Sequence, residues 1–461
     1  MGRAGPARAR RRDRAGGRMG GGAVAGGPEG RAPGGAGGRT GGARRLPASA
    51  GQRLLWFLDR YRGAGGALNC PMVCRIGGPL DTAALEAALD GLAARHESLR
   101  TTFEGAGRNL VQVIHPPGPL PLEHAGAGTG AAVDEALTAE LRTRIDPVER
   151  PVRARLWRIS PGEHVLCLNM HHLVTDTWSC DVLFRDLAAG YAALLGEGPP
   201  PPPVGWQYAQ YALWQERSLG RGGFRRHEEY WKARLAGVTP PALPLKPGGG
   251  GGRRLSELVE AAGAGGLREL AAARRTTVFA VLLAVYYALL HRTTGQHDLA
   301  VASLFANRTR PEVQRTVGFL ANLLVLRTSV PPRATFADLV DAARTTVLDA
   351  SAHQRLPFHL LPQATARGGP VRLDDVVFQL LAEPLDAAVR AGGVEFRGLV
   401  PDVAGRFDFE LALMPRGRGF AAKLFYAEDR ADPAWARGFA AEYARLAAAA
   451  AADPSRPVTA L

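Results

Sequence analysis

The chain has 461 residues, which is enough for two or three domains or for one unit with two large lobes. Hydrophobic residues make up 46% of it and charged residues 22%, an ordinary globular composition that excludes disorder throughout. The net charge is +14, but residues 1–45 supply +9 of it, because they hold 11 arginines and only two acids. The remaining charge is small, so we do not expect the body of the chain to bind nucleic acid.

Three features of the sequence bear on where the protein is located: the length of its apolar runs, its N-terminus and its cysteine content. Its longest strongly apolar run, Val278–Leu290, is far shorter than the roughly 20 residues that cross a bilayer, so no membrane span is expected. The N-terminus has no apolar core of a secretory signal. Four cysteines are too few for a disulfide scaffold, and the single C-x3-C pair of Cys70 and Cys74 has no second pair of ligands for zinc. These features favour a cytoplasmic protein.

The first half of the chain alternates between predicted helices and strands. Residues 1–45 are rich in glycine and arginine and have no apolar period, so they are predicted to be a disordered tail. Asp81 precedes apolar residues at helical spacing and is a predicted N-cap. Arg153–Ile159 and His164–Met170 alternate as neighbouring strands do. Ser179 is the predicted N-cap of a helix that ends at Leu195.

The second half repeats this mixture after two breaks, Pro199–Pro203 and Pro240–Gly252, which indicate a boundary between two halves. Val278–Leu290 is apolar on all sides and is predicted to be a buried helix. Asp432 and Pro433 suit the start of a C-terminal helix. The predicted class is α/β, in the form of an α+β sandwich, with similar lobes at residues 46–220 and 221–461.

The residues that point to chemistry lie where a predicted strand ends. His171 and His172 close the strand, Asp176 follows four residues after His172, and a helix then begins. Because adjacent strand residues point to opposite faces, the two histidines are not expected to serve one site equally, which weakens a metal site. Two interpretations stay open: a pair of hydrogen-bonded core histidines, or an imidazole that acts as a general base or positions an amine.

This segment resembles the HHxxxDG motif of the condensation domains of nonribosomal peptide synthetases, which belong to the chloramphenicol-acetyltransferase-like superfamily. Further stretches resemble other elements of that family in the same order, and they are Ser49–Trp56, Arg95–Phe103, Tyr208–Trp214, Val317–Arg327 and His353–Phe358. Two departures stand out. Thr177 occupies the position of the motif's glycine, and Gln210 that of an acid.

The resemblance implies two chloramphenicol-acetyltransferase-like lobes in a V-shaped pseudo-dimer, with the active site between them. It also implies transfer of an acyl or aminoacyl group from a carrier-protein thioester to an amine, which forms an amide. The enzyme would have no cofactor or metal of its own. The 4'-phosphopantetheine arm would come from carrier proteins in trans, because a free-standing monomer is expected. The alternatives are an O-acyltransferase that uses a carrier or CoA donor, and a non-catalytic scaffold.

The resemblance also implies roles for individual residues. His172 is the expected catalytic residue that touches the amine, with His171 beside it. Asp176 is expected to be structural and to pair with an arginine, for which Arg100 is preferred and Arg95 comes second. One partner of such a buried pair costs more to remove than the pair contributes.

Three further residues are predicted to contact the substrate or the pantetheine arm. Asn322 either does so or satisfies loop backbone with its amide. Ser303, at the end of a predicted strand, is expected to hydrogen-bond the arm. Thr177 costs about 1 kcal/mol or more if its backbone needs a positive φ, and costs nothing if only its N–H is used.

Overall fold

The structure is a computed structural model that describes residues 39–40, 42–61, 68–247, 254–261, 265–361, 365–366, 369–370, 372–381, 388–399, 407–417 and 419–461. Most of the predicted tail, residues 1–38 and 41, lies outside the described residues. The predicted end of that tail at residue 45 is too late, because Ala43–Pro47 is a strand that pairs with Val111–Ile114.

The helices of the described residues mostly begin where a side chain can cap them. They are α1 (Ala50–Tyr61), α2 (Thr82–Arg95), α3 (Gly130–Arg142), α4 (Thr177–Leu194), α5 (Tyr208–Gly220), α6 (Arg225–Leu235), α7 (Gly266–Ala273), α8 (Val278–Thr294), α9 (Phe336–Ala352) and α10 (Pro433–Ala452). Asp81 caps α2 and Asp432 caps α10, as predicted. The cap of α4 is Asp176 rather than Ser179, because the Asp176 carboxylate accepts the Ser179 N–H.

The strands of the described residues are β1 (Arg39–Thr40), β2 (Ala43–Pro47), β3 (Met72–Gly77), β4 (Thr101–Glu104), β5 (Val111–Ile114), β6 (Leu122–Ala127), β7 (Val152–Ser160), β8 (Glu163–Met170), β9 (Arg254–Ala261), β10 (Asp298–Phe305), β11 (Asn322–Ser329), β12 (Thr365–Ala366), β13 (Gly369–Pro370), β14 (Val376–Leu380), β15 (Val389–Ala391), β16 (Val394–Leu399), β17 (Phe409–Arg416) and β18 (Gly419–Ala427). The two large sheets have the orders β15-β16-β3-β8-β7-β6 and β11-β10-β14-β17-β18-β9. They confirm a mixed α/β fold with two lobes.

Each large sheet has its own core. In the N-terminal lobe, one face of β8 packs under α2 and α4, while the other face, with Val165 and Cys167, packs with Val133 of α3. In the C-terminal lobe, α8, α9 and α10 cover one face of the sheet with a core that includes Tyr286, Phe378 and Tyr443. The alternation along β8 decides where the residues after Met170 point.

Two strands from the second half of the chain join the sheet of the N-terminal lobe, which corrects the predicted boundary. Strands β15 and β16 lie within the predicted C-terminal lobe at 221–461, but they extend the N-terminal sheet, and β16 pairs with β3 in the register Phe396↔Ile76. Val394 and Phe396 are buried in the N-terminal core. A single cut at residue 220 therefore does not separate the two lobes.

No single helix of the described residues is both long and apolar enough to cross a membrane. One bent pair, α7 and α8, meets the length and composition criteria together, with an angle of 111° between the two helices.

Candidate active site

The loop after β8 is held by backbone hydrogen bonds on both sides. The His171 N–H donates to the Pro151 carbonyl at 2.9 Å, and the His172 N–H donates to the Leu68 carbonyl at 2.8 Å. The Val174 N–H closes the turn onto the His171 carbonyl at 3.0 Å. All the residues from 171 to 176 are buried. The loop therefore presents its side chains from a fixed backbone.

The His172 ring has one nitrogen fixed and one nitrogen open. Its Nδ1 lies 3.0 Å from the Thr175 carbonyl oxygen, which can only accept a hydrogen bond. The neutral ring therefore carries its proton on Nδ1, and Nε2 has the lone pair. Among the described residues, this buried Nε2 has no hydrogen-bond partner. The ring of Phe319 packs edge-on against the imidazole at 5.9 Å.

The ring of His171 has different neighbours from that of His172, in keeping with the predicted alternation of side chains. Its Nδ1 accepts the Leu173 N–H at 3.0 Å, and its Nε2 lies 3.6 Å from an Asp59 oxygen. Burial lowers the pKa of His171, and the nearby Asp59 carboxylate offsets only part of that effect. Arg144 donates to the same Asp59 carboxylate at 2.6 Å. His171 therefore lies beside Asp59 of α1 rather than beside Phe319, and a catalytic role for it stays a prediction.

Asp176 binds Arg308, which corrects the predicted partners Arg100 and Arg95. Two guanidinium nitrogens of Arg308 donate to the two carboxylate oxygens at 2.9 and 3.0 Å, and both side chains are only 2% exposed. This fork joins the start of α4 to the segment that follows β10. Bidentate geometry of this kind is among the strongest that a protein uses for a carboxylate.

The same carboxylate collects donors from both lobes. Besides Arg308, it accepts the N–H and the hydroxyl of Ser179, and the backbone N–H groups of Leu320 and Ala321 at 3.0 and 3.1 Å. Burial is the largest single influence on the Asp176 pKa and raises it, but the Arg308 charge and these hydrogen bonds together lower the pKa below its usual value. Asp176 is therefore an ionised structural link between the lobes.

Arg95 and Arg100 have other partners. Arg95 donates to Asp186 at 2.8 Å, where His96 Nε2 lies 2.9 Å away and Arg315 also donates. Arg100 donates to the carbonyl of Ala93 at 3.2 Å and to that of His115. The Asp186 cluster is thus a second ionic link between α4 and the segment after β10. The sequence could not rank these arginines, because choosing a partner requires distances that spacing does not supply.

The Asn322 amide satisfies loop backbone, which is one of its two predicted roles. The contact predicted for Ser303 stays a prediction, because its buried hydroxyl has no hydrogen-bond partner among the described residues. The Asn322 amide donates to the carbonyls of Gln354 and Leu356 at 2.8 and 2.7 Å and accepts the Phe358 N–H, so both of its N–H donors are used on loop backbone. Ser303 shares a strand face with Phe305, whose ring contacts Phe279 of α8. That face belongs to the core of the C-terminal lobe.

Thr177 is the first residue of α4, and its side chain is exposed. Its φ is not positive, because the described residues other than glycine with positive φ are Arg275 and Asn307. Threonine therefore imposes no left-handed strain at the position where the motif has glycine.

Two residues at the site were missed by sequence reasoning. Arg308 is one of many arginines in an arginine-rich chain, and Phe319 lies in a quoted element without a signal for its contact with His172. Within the described ranges, no group of three or more His, Cys, Asp or Glu side chains could hold a metal ion.

The chain belongs to the condensation-domain family, whose model matches residues 43–461. It is 35% identical over 397 residues to chondramide synthase of Chondromyces crocatus, a match that covers 79% of this chain and 10% of that protein. The chain is therefore a condensation domain of the nonribosomal peptide synthetase type, and it spans about a tenth of that relative's length.

Solved structures share the fold over nearly the whole chain. The X-domain from teicoplanin biosynthesis is 27% identical with a TM-score of 0.77, covering 92% of this chain and 98% of that one. A complex of the X-domain with OxyB, also from teicoplanin biosynthesis, contains a chain that is 26% identical with a TM-score of 0.74, and the match covers 92% of this chain and 96% of that one. SgcC5 from Streptomyces globisporus, solved with a naphthyl-ethanediol, is 26% identical with a TM-score of 0.75, and the match covers 89% of this chain and 100% of that one.

Proposed function

We propose that this condensation domain transfers an acyl or aminoacyl group from a carrier-bound phosphopantetheine thioester to an amine, and so forms an amide. The observation that carries the proposal is the state of His172. Its Nδ1 is fixed by the Thr175 carbonyl, and its buried Nε2 has no partner among the described residues. A nitrogen in that state can accept a proton from a substrate.

In the proposed reaction the amine nitrogen attacks the thioester carbonyl carbon, and the carbon–sulfur bond breaks. The amine approaches His172 with an N–H directed at Nε2, which orients the nucleophile and takes the proton that leaves it. The pantetheine thiol departs with a proton. The arm belongs to the substrate and is supplied by partner carriers. Thr177 remains a proposed contact, because its side chain is exposed at the start of α4.

Asp176 acts indirectly in this proposal. Its carboxylate fixes the backbone of Leu320 and Ala321, immediately after the Phe319 ring that packs against His172. Asp176 and Arg308 are therefore positioning residues, and they do not take part in proton transfer.

The proposal is tested by mixing the protein with acyl-loaded carriers and a set of amine acceptors. Intact-mass spectrometry follows loss of the acyl group from the carrier, and chromatography detects the new amide. We expect His172→Ala to lose product while the protein remains folded, with a small loss of melting temperature because a buried hydrogen bond is removed. His124→Ala is the matched control, because His124 is an exposed histidine of the same lobe that contacts Glu86. Turnover that survives His172→Ala contradicts the proposal.

Two other functions have support in specific observations. The SgcC5 structure contains a diol, which keeps ester formation open, and competition between amine and alcohol acceptors distinguishes the two bonds. The X-domain complex with OxyB favours recruitment of a partner enzyme without turnover. Carrier binding without any product, from substrates that a related active enzyme accepts, would support recruitment.

A further inference from the structure

Two cysteines lie beside the loop that carries His172. The Sγ atoms of Cys70 and Cys180 are 3.8 Å apart, although the residues are 110 positions apart in the chain. The Cys180 sulfur also lies 3.9 Å from the carbonyl oxygens of Cys70 and Pro71. The sulfur atoms of a disulfide are about 2.05 Å apart, so the pair needs to close by about 1.8 Å.

Both cysteines lie close, in the chain or in space, to groups that hold His172. On one side, the Cys70 N–H donates to the Met170 carbonyl at 2.7 Å, and Leu68, two residues earlier, accepts the His172 N–H. On the other side, the Cys180 sulfur is 4.0 Å from the Thr175 hydroxyl, and the Thr175 carbonyl holds the His172 ring. A bond between the two sulfurs would join the two supports of the loop.

We propose that Cys70 and Cys180 are a modification site that takes a low-molecular-weight disulfide and forms a reversible internal disulfide, which clamps the His172 loop. The Cys180 thiolate, on the partly exposed residue, attacks the small disulfide and releases one thiol. The buried Cys70 thiolate then attacks the Cys180 sulfur and releases the second thiol. Two protein thiols lose two protons and two electrons, and one small disulfide becomes two thiols.

The other two cysteines provide an internal control. Cys74 and Cys167 are both fully buried and lie in different cores, on opposite faces of the N-terminal sheet. Burial raises the pKa of Cys74 to about 12. The hydrogen bond to Cys70, together with burial, also raises the pKa of Cys180 well above its usual value, so exchange is expected to be slow near neutral pH and to quicken as the pH rises.

The test incubates the whole chain with glutathione disulfide over a range of pH from neutral to alkaline. We expect a mass loss of about 2 Da, because two hydrogens leave, and a crosslinked peptide that contains both Cys70 and Cys180. Cys180→Ser and Cys70→Ala are expected to abolish the crosslink, and Cys74→Ala to leave it intact. A stable glutathione adduct on Cys180, an unchanged mass, or a crosslink through Cys74 or Cys167 would each overturn the pairing.

The clamp has its own readout, which does not require enzymatic activity. Hydrogen–deuterium exchange in a peptide spanning residues 168–182 is expected to slow several-fold in the oxidised chain and to recover when a dithiol reductant is added. Cys180→Ser should show the same exchange under both conditions. Exchange that is unchanged by the crosslink would refute the clamp.

Discussion

Removing the side chain of Arg308 should lower the stability of the protein more than removing that of Arg95 or Arg100, the two partners that were predicted for Asp176. Arg308→Met keeps most of the side-chain length but removes the two hydrogen bonds that the guanidinium donates to Asp176, and it leaves a buried carboxylate without its charge partner. Breaking a buried pair from one side typically costs about 3–5 kcal/mol. The carbonyls of Ala306 and Thr316 also lose the hydrogen bonds that Arg308 donates to them. We therefore expect Arg308→Met to lower the free energy of unfolding by about 3–5 kcal/mol.

The expected shift in melting temperature follows from chain length. Unfolding entropy is about 2.1 cal/mol/K per residue, so a cooperative chain of 461 residues loses about 1 °C for each kcal/mol, or about 3–5 °C in total. Arg100→Met is the matched control, because Arg100 donates to backbone carbonyls and lies 3.8 Å from Glu97, at the part-exposed edge of the lobe. We expect it to cost about 1 kcal/mol.

Urea denaturation of a double-mutant cycle isolates the pair. Asp176→Asn alone, Arg308→Met alone and the double variant are compared with the wild type, and a coupling free energy above about 1.5 kcal/mol is expected. Coupling below about 0.5 kcal/mol, or equal losses for Arg308→Met and Arg100→Met, would refute the assignment of Arg308.

The pH dependence of the same variants provides a sign check. Because the Asp176 pKa is lower in the folded chain, its contribution is complete above the ordinary value of 3.8 and is lost as pH falls through the lower folded value. Asp176→Asn should therefore flatten part of the acid limb of the stability curve, and an unchanged acid limb would contradict the direction of the pKa shift.

Three further substitutions test the segments next to the His172 loop. Gly318→Ala would place a Cβ 2.0 Å from the Tyr208 ring, so we expect thermal unfolding to show a loss of about 1–3 kcal/mol. Gly393→Ala is the control, because Gly393 also has a positive φ but lies in open space, and it should lose about 1 kcal/mol. Equal losses would contradict the steric argument. Tyr208→Phe removes the hydroxyl that donates to the Phe319 carbonyl at 2.7 Å, and we expect a loss of about 1–3 kcal/mol by urea denaturation. An unchanged stability would contradict this contribution. Thr177→Gly should destabilise α4 by about 0.3 kcal/mol, the difference between the helix propensities of threonine and glycine, since threonine there has no positive φ to relieve. A gain in stability by calorimetry would refute this.

Local patterns in the sequence determined much of the fold. The caps at Asp81 and Asp432 were predictable because a cap needs only the side chain and the three residues after it. The divergence of His171 and His172 was predictable because side chains alternate along a strand. The candidate site around Asp176 could be located from a resemblance to a family motif, because its residues lie within one strand, one loop and one helix start.

The tertiary structure alone decided the long-range partners. Arg308 is 132 residues from Asp176, and its choice over Arg95 and Arg100 depends on how the segment after β10 packs against α4. Asn322 and Ser303 share the same limit: a polar residue near a predicted strand end can face a cleft, a loop or a core, and only the packed neighbours decide. The exchange of β15 and β16 into the N-terminal sheet is likewise invisible to local periodicity, because pairing between distant strands is set by the edge that the other lobe leaves open.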